Sequence, residues 1–192
     1  MTAWPPPPGS PAEQFATSGA AVLGRVLDDD QLATARAAFE ALLPSGTTGG
    51  YATIVHDGWR RAPALAALVP VVGRAAAAAV GVPALVLFHE HLLWKHPGGE
   101  DMAWHQDYSY WTRTQPMQHL TCWIGLDDAD EENGCLYYVP GSHTWPLLPI
   151  TGLAGDMEAI QSVLSDEQKE AFKPIPIRLK RGAQIYRHAV DA

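Results

Sequence analysis

The chain has 192 residues, enough for one domain with a substantial core, and 47% of them are hydrophobic against 18% charged. That composition excludes a disordered chain, and a formal net charge of -8 without any basic cluster argues against a nucleic-acid partner. Only two cysteines occur, Cys122 and Cys135, and neither sits in a Cys-x-x-Cys pattern, which argues against a disulfide framework or a structural zinc site.

Residues 1–14 read as a flexible Pro-rich tail, and residues 15–192 as a single domain. No leader-like apolar run precedes the domain. The longest apolar segment, around Ala75 to Phe88, is broken by Gly81 and Pro83. A soluble cytoplasmic protein with no membrane partner is the expectation. Gly19 to Leu27 has strand character. Asp28, Asp29 and Asp30 then cap an amphipathic helix over Gln31 to Leu43, with Leu32, Phe39 and Leu43 on one face and Pro44 at its end. Pro63 to Val80 predicts a second, Ala-rich helix closed by Gly81. From Leu85 onward the composition turns to strand: Leu85 to Lys95, His119 to Leu126, Cys135 to Val139 after the Asn133-Gly134 turn, Ile175 to Leu179, and Ala183 to Val190. One more helix is expected near Ser165 and Asp166, whose side chains suit an N-terminal cap. No internal repeat is visible.

The chemistry centres on Trp104-His105-Gln106-Asp107. On an extended chain, residues two apart project to the same side, so His105 and Asp107 can offer an imidazole nitrogen and a carboxylate oxygen to one metal ion. A set of two histidines and one carboxylate leaves three coordination positions open, which suits a non-haem iron(II) oxygenase. His-x-Asp alone is a common tripeptide; its surroundings make it specific. Lys95-His96-Pro97-Gly98-Gly99 lies upstream, and Asn133-Gly134-Cys135-Leu136 and Val139-Pro140-Gly141-Ser142-His143 lie downstream. In that order these segments resemble the phytanoyl-CoA dioxygenase family of iron(II)/2-oxoglutarate-dependent oxygenases, over roughly residues 15 to 190.

The resemblance implies a mainly β domain with flanking α-helices, a double-stranded β-helix of the jelly-roll, cupin-like kind. It implies Fe(2+) held by His105 and Asp107, with 2-oxoglutarate as co-substrate lined by Lys95 and Trp123. It further implies dioxygen and a small organic substrate (acyl-CoA-like or a secondary metabolite), and hydroxylation as the outcome. In the family a later histidine supplies the third iron ligand, and a downstream arginine pairs with the far carboxylate of 2-oxoglutarate. Counting from Gly182, His188 falls at an earlier, non-ligand position, and the ligand position falls just past Ala192. Three readings stand open: an incomplete C-terminus, His188 acting as third ligand after a local shift, or a non-catalytic β-helix domain that binds a small molecule or partner. Arg181 and Arg187 are the arginines at hand for the co-substrate.

The remaining histidines have plainer expectations. His89 and His91 share a strand face, Glu90 between them faces the other way and no carboxylate shares their side, which favours pocket or face residues over ligands. His143 belongs to the Pro-Gly-Ser-His turn and stabilises it, and His56 and His119 are structural. Trp104, Tyr108, Tyr110 and Trp111 are either core aromatics or a pocket wall. The acidic run Asp127 to Glu132 lacks the alternating oxygen ligands and glycine of a calcium loop and reads as a solvated hairpin tip. A cupin-type metal hydrolase or isomerase is the rival enzyme class.

Overall fold

The computed structural model describes residues 9–45, 50–111, 119–187 and 190–191. The first element is a helix that the Pro-rich composition conceals, α1 (Pro11–Ser18). Its start is encoded locally. The Ser10 side chain accepts from the Glu13 backbone N–H while Glu13 reaches back to Ser10, and Pro11 occupies a position where no intrahelical donor is needed. Gly19 ends it in the left-handed conformation. β1 (Ala20–Arg25) follows, then α2 (Asp29–Glu40), capped by Asp28 and buried through Leu32, Ala35 and Phe39. β2 (Thr53–His56), a single turn α3 (Gly58–Arg61) and α4 (Pro63–Val80) complete the helical half.

The second half holds β3 (His91–Trp94), β4 (His105–Gln106), the one-turn helix α5 (Asp107–Tyr110), β5 (Thr121–Ile124) and β6 (Leu136–Tyr138). After it come α6 (Asp166–Ala171), β7 (Ile175–Ile177), β8 (Ala183–Arg187) and β9 (Val190–Asp191). The strands form three antiparallel groups, β1-β8-β5, β2-β3 and β4-β9-β6-β7. Alternation decides what each face of the first sheet meets. Ala20, Val22 and Trp123 face a core of Leu136, Tyr138, Ile177 and Leu179, whereas Ala21, Leu23 and Cys122 face Ala76 and Ala79 of α4. A separate cluster, Trp104, Val139, Leu148, Ile160 and Leu164, supports the β4 region.

Helix and strand are mixed rather than mainly β, and among the described residues no sheet closes on itself. The expected long strand over Leu85 to Lys95 shrinks to His91–Trp94, because residues 84–90 pair with no described strand. Helix α4 is long and apolar enough to cross a membrane by length and composition, contrary to the sequence expectation. Leu65, Ala76, Ala77 and Ala79 are nonetheless buried within the domain, and its exposed stripe carries Ala67, Pro70, Arg74 and Ala78.

Candidate metal centre

His105 and Asp107 come together, though not on one strand. β4 stops at Gln106, and Asp107 opens α5. The change from extended to helical backbone turns the carboxylate back toward the imidazole, leaving His105 Nε2 3.5 Å from Asp107 Oδ1. Two donors each about 2.1 Å from one ion and roughly at right angles would lie about 3 Å apart, so this spacing fits two adjacent ligands of a single metal.

Each ligand is oriented by a second partner. His105 Nδ1 lies 2.9 Å from the Ala103 carbonyl oxygen. A carbonyl only accepts, so the ring proton sits on Nδ1 and the Nε2 lone pair is directed at the metal position. Asp107 Oδ2 accepts a 2.8 Å hydrogen bond from the Thr121 hydroxyl, which leaves Oδ1 as the oxygen facing His105. His105 is buried, and the Tyr110 ring packs edge-on against it with centroids 6.0 Å apart. Between the ligands, Gln106 points the other way. Its Oε1 accepts from the Leu148 N–H at 2.8 Å, and Ser109 Oγ donates to the Leu148 carbonyl at 2.7 Å, pinning that loop under the site.

Thr121 carries a prediction. Thr121→Val removes the hydroxyl while keeping the branched shape, so Asp107 gains rotational freedom. Loss of such an outer partner typically costs 10–100-fold in metal affinity. Iron(II) affinity of Thr121→Val is expected to fall by about tenfold or more, and Thr121→Ser to restore it. Titration of the metal-free protein, read against an unchanged melting curve, checks this; equal affinity of wild type and Thr121→Val would remove the role.

The other expected site residues fall as follows. Trp123 shares the inner face of β5 with Thr121, two residues away, and packs on the core. Lys95 is exposed and lies along Gly134, where a Cβ would meet its Cδ at 2.8 Å. His188 lies outside the described residues. The strand after it, β9, pairs with β4 and sets Asp191 opposite His105 in register. Among the described residues, no three His, Cys, Asp or Glu side chains converge as metal donors. His143 does not serve the pair; its Nε2 reaches the Ala16 carbonyl at 3.2 Å and ties the Pro-Gly-Ser-His turn to α1. Two contributors went unseen in the sequence, Thr121 and the Ala103 carbonyl. The first had a signal, its even spacing from Trp123 on a strand; the second, a backbone group, had none.

His56, His89 and His91 gather beside the pair. The His91 ring lies 4.5 Å from His56, edge-on, and 4.5 Å from His89, stacked. Although His91 is partly open to solvent, the packing of its ring desolvates it, and with two neighbouring imidazoles this pulls its pKa down to about 4. Burial also lowers His89.

The family model for phytanoyl-CoA dioxygenase (PhyH) matches residues 15–185. The chain belongs to this family. The family is iron(II)- and 2-oxoglutarate-dependent, in agreement with the donor chemistry of His105 and Asp107. One relative, phytanoyl-CoA dioxygenase domain-containing protein 1 of Bos taurus, is 33% identical over 120 residues, 60% of this chain and 40% of the relative. The chain thus matches well under half of that relative's length. Among solved structures, the non-heme alpha ketoglutarate dependent carbocyclase SnoK from nogalamycin biosynthesis superposes with a TM-score of 0.73 at 22% identity, covering 100% of this chain and 79% of that one. The epimerase SnoN, solved with Fe3+, alpha ketoglutarate and nogalamycin RO, gives a TM-score of 0.69 at 24% identity, over 94% of this chain and 73% of its own. These likenesses show a cupin-like fold.

Proposed function

We propose that this chain is an iron(II)/2-oxoglutarate-dependent dioxygenase domain that hydroxylates a small organic molecule. The observation that carries the proposal is the oriented His105–Asp107 pair, with its Nε2–Oδ1 separation of 3.5 Å and its two supporting hydrogen bonds, in a chain of this family. When bound, iron with 2-oxoglutarate supplies the oxidising power for dioxygen chemistry at an unactivated carbon. The residues of the chain hold the metal and orient its ligands. The Ala103 carbonyl holds the His105 ring through Nδ1, and the Thr121 hydroxyl donates to Asp107 Oδ2 and fixes the carboxylate. Lys95 and Trp123 are proposed to line the co-substrate, and His188 to act as third ligand. Trp123 is supported by its place on the same strand face as Thr121.

Anaerobic titration of the protein with iron(II) and 2-oxoglutarate tests the reading. A saturable, weak metal-to-ligand absorption band in the visible region is expected, together with formation of succinate on admitting air. A folded protein that shows neither band nor succinate sinks the proposal and leaves a non-catalytic β-helix domain that binds a small molecule.

A further inference from the structure

Asp107 stands on an element too short to hold itself. The helix α5 is a single turn, Asp107–Tyr110, and Gln106 at its start supplies no side-chain cap. One helical turn has almost no stability of its own, so contacts with neighbouring segments fix its place. Two of these contacts reach the same neighbour. Thr121, the first residue of β5, donates to Asp107 Oδ2 at 2.8 Å. Tyr108, the next residue of the turn, reaches His119, two residues before Thr121. Its hydroxyl donates to the His119 carbonyl at 2.8 Å and accepts from the His119 N–H at 2.5 Å.

One hydroxyl thus engages both backbone groups of one residue. The described ladder of β5 with β8 starts at Thr121, opposite Arg187. At His119 the Tyr108 hydroxyl does what the neighbouring strand does further on, offering one donor and one acceptor to the chain. The tyrosine ring also packs edge-on against the His119 imidazole, with centroids 5.4 Å apart. Leu120, the next residue, packs on the cluster of Ala21, Ala76 and Ala79. Alternation then turns Thr121 to the other face of the strand, the one it shares with Trp123. A threonine hydroxyl is one bond from a stiff Cβ, so the placing of the backbone decides whether it reaches the carboxylate.

We infer that Tyr108 is a positioning residue for the iron ligand Asp107 and acts through Thr121: its hydroxyl pins the start of β5 to α5 and so keeps the Thr121 hydroxyl on the carboxylate. The inference deepens the oxygenase reading and rests on it, because it takes Asp107 as an iron ligand. A tyrosine that served stability alone would lower the melting temperature when altered and leave the iron affinity of the folded protein unchanged.

Four forms of the full chain test this: wild type, Tyr108→Phe, Thr121→Val and the double variant. Each is titrated anaerobically with iron(II) from the metal-free state, and circular dichroism checks the fold. Tyr108→Phe removes one oxygen atom and keeps the ring on His119. Its iron(II) affinity should fall by about two- to tenfold, the net worth of a hydrogen bond. The double variant should bind within about twofold of Thr121→Val alone, because without the Thr121 hydroxyl the pin has nothing to deliver. His119→Ala keeps the backbone groups that Tyr108 engages and should stay within about twofold of wild type; it also tests the pin if Tyr108→Phe does not fold. Wild-type affinity in folded Tyr108→Phe, losses that multiply in the double variant, or a His119→Ala loss beyond tenfold would each overturn the inference. Absence of iron binding by the wild-type chain is a separate result, which sinks the oxygenase reading and this inference with it.

Discussion

Iron(II) binding by His105→Ala is expected to fall by at least about a hundredfold, with the fold retained. The magnitude follows from what the ring supplies. Removing an outer partner of a ligand costs 10–100-fold, and removing the ligand itself deletes a metal bond as well. The loss has no ready compensation, because among the described residues no three His, Cys, Asp or Glu side chains converge as donors. Fold retention follows from the neighbours. Gln106 keeps its bond to the Leu148 N–H, β4 keeps its pairing with β9, and the Trp104 cluster does not include the imidazole. His105 is 7% exposed, so alanine leaves a small cavity, and a stability loss of about 1–3 kcal/mol is expected alongside. Asp107→Ala should behave alike in metal binding, because it deletes the carboxylate whose Oδ1 faces His105. Metal titration of both variants beside a far-ultraviolet circular dichroism spectrum is the measurement. Wild-type iron affinity in a folded His105→Ala protein would remove the pair from the metal site.

How far the sequence carried this site depends on which groups build it. His-x-Asp is a side-chain motif and was readable, yet the geometric reason first offered for it, two residues on one extended strand, is not the one that operates. Asp107 begins a helical turn, and the turn brings its carboxylate to His105. Local chemistry also made α2 and α4 readable, through the Asp28 cap and the Gly81 end with a φ of 73. The helix α1 had an equally local signal in Ser10-Pro11-Ala12-Glu13, obscured by the prolines before it. Strand lengths were not readable, because pairing is settled between segments distant in sequence. Leu85 to Phe88 has strand composition and no described partner, while Val190–Asp191, two residues long, pairs with both β4 and β6. The edge-on contact of His56 with His91 is of the same kind. It follows from the β2–β3 register, which sets these two residues opposite each other.

The Pro-Gly-Ser-His turn, prominent in the sequence, receives its physical meaning from Gly19. The Ser18 carbonyl accepts two hydrogen bonds at 2.8 Å, from the Gly141 N–H of the turn and from the hydroxyl of the fully buried Tyr138. Gly19 follows with a φ of 82, and a Cβ there would lie 2.5 Å from Tyr138 Oη and 2.6 Å from His143 Cβ. Gly19→Val would thus impose a left-handed conformation on a β-branched residue, at about 1–3 kcal/mol. It would also push Tyr138 out of a core shared with Ala20, Leu136 and Ile177, at a further 1–3 kcal/mol or so, and strain the bond to Ser18. A total loss of about 3–5 kcal/mol is expected, which for a chain of this size lowers the melting temperature by roughly 6–20 °C. Gly24→Ala is the comparison. No atom lies within 4 Å of its would-be Cβ and its φ is not positive, so it should stay within about 0.5 kcal/mol of wild type. If Gly19→Val melts with Gly24→Ala, the turn is not the clamp that joins α1 to the sheet. If it melts far below, the motif is a structural fastening for β1, the strand that pairs with β8, on whose other edge β5 carries Thr121 to Asp107.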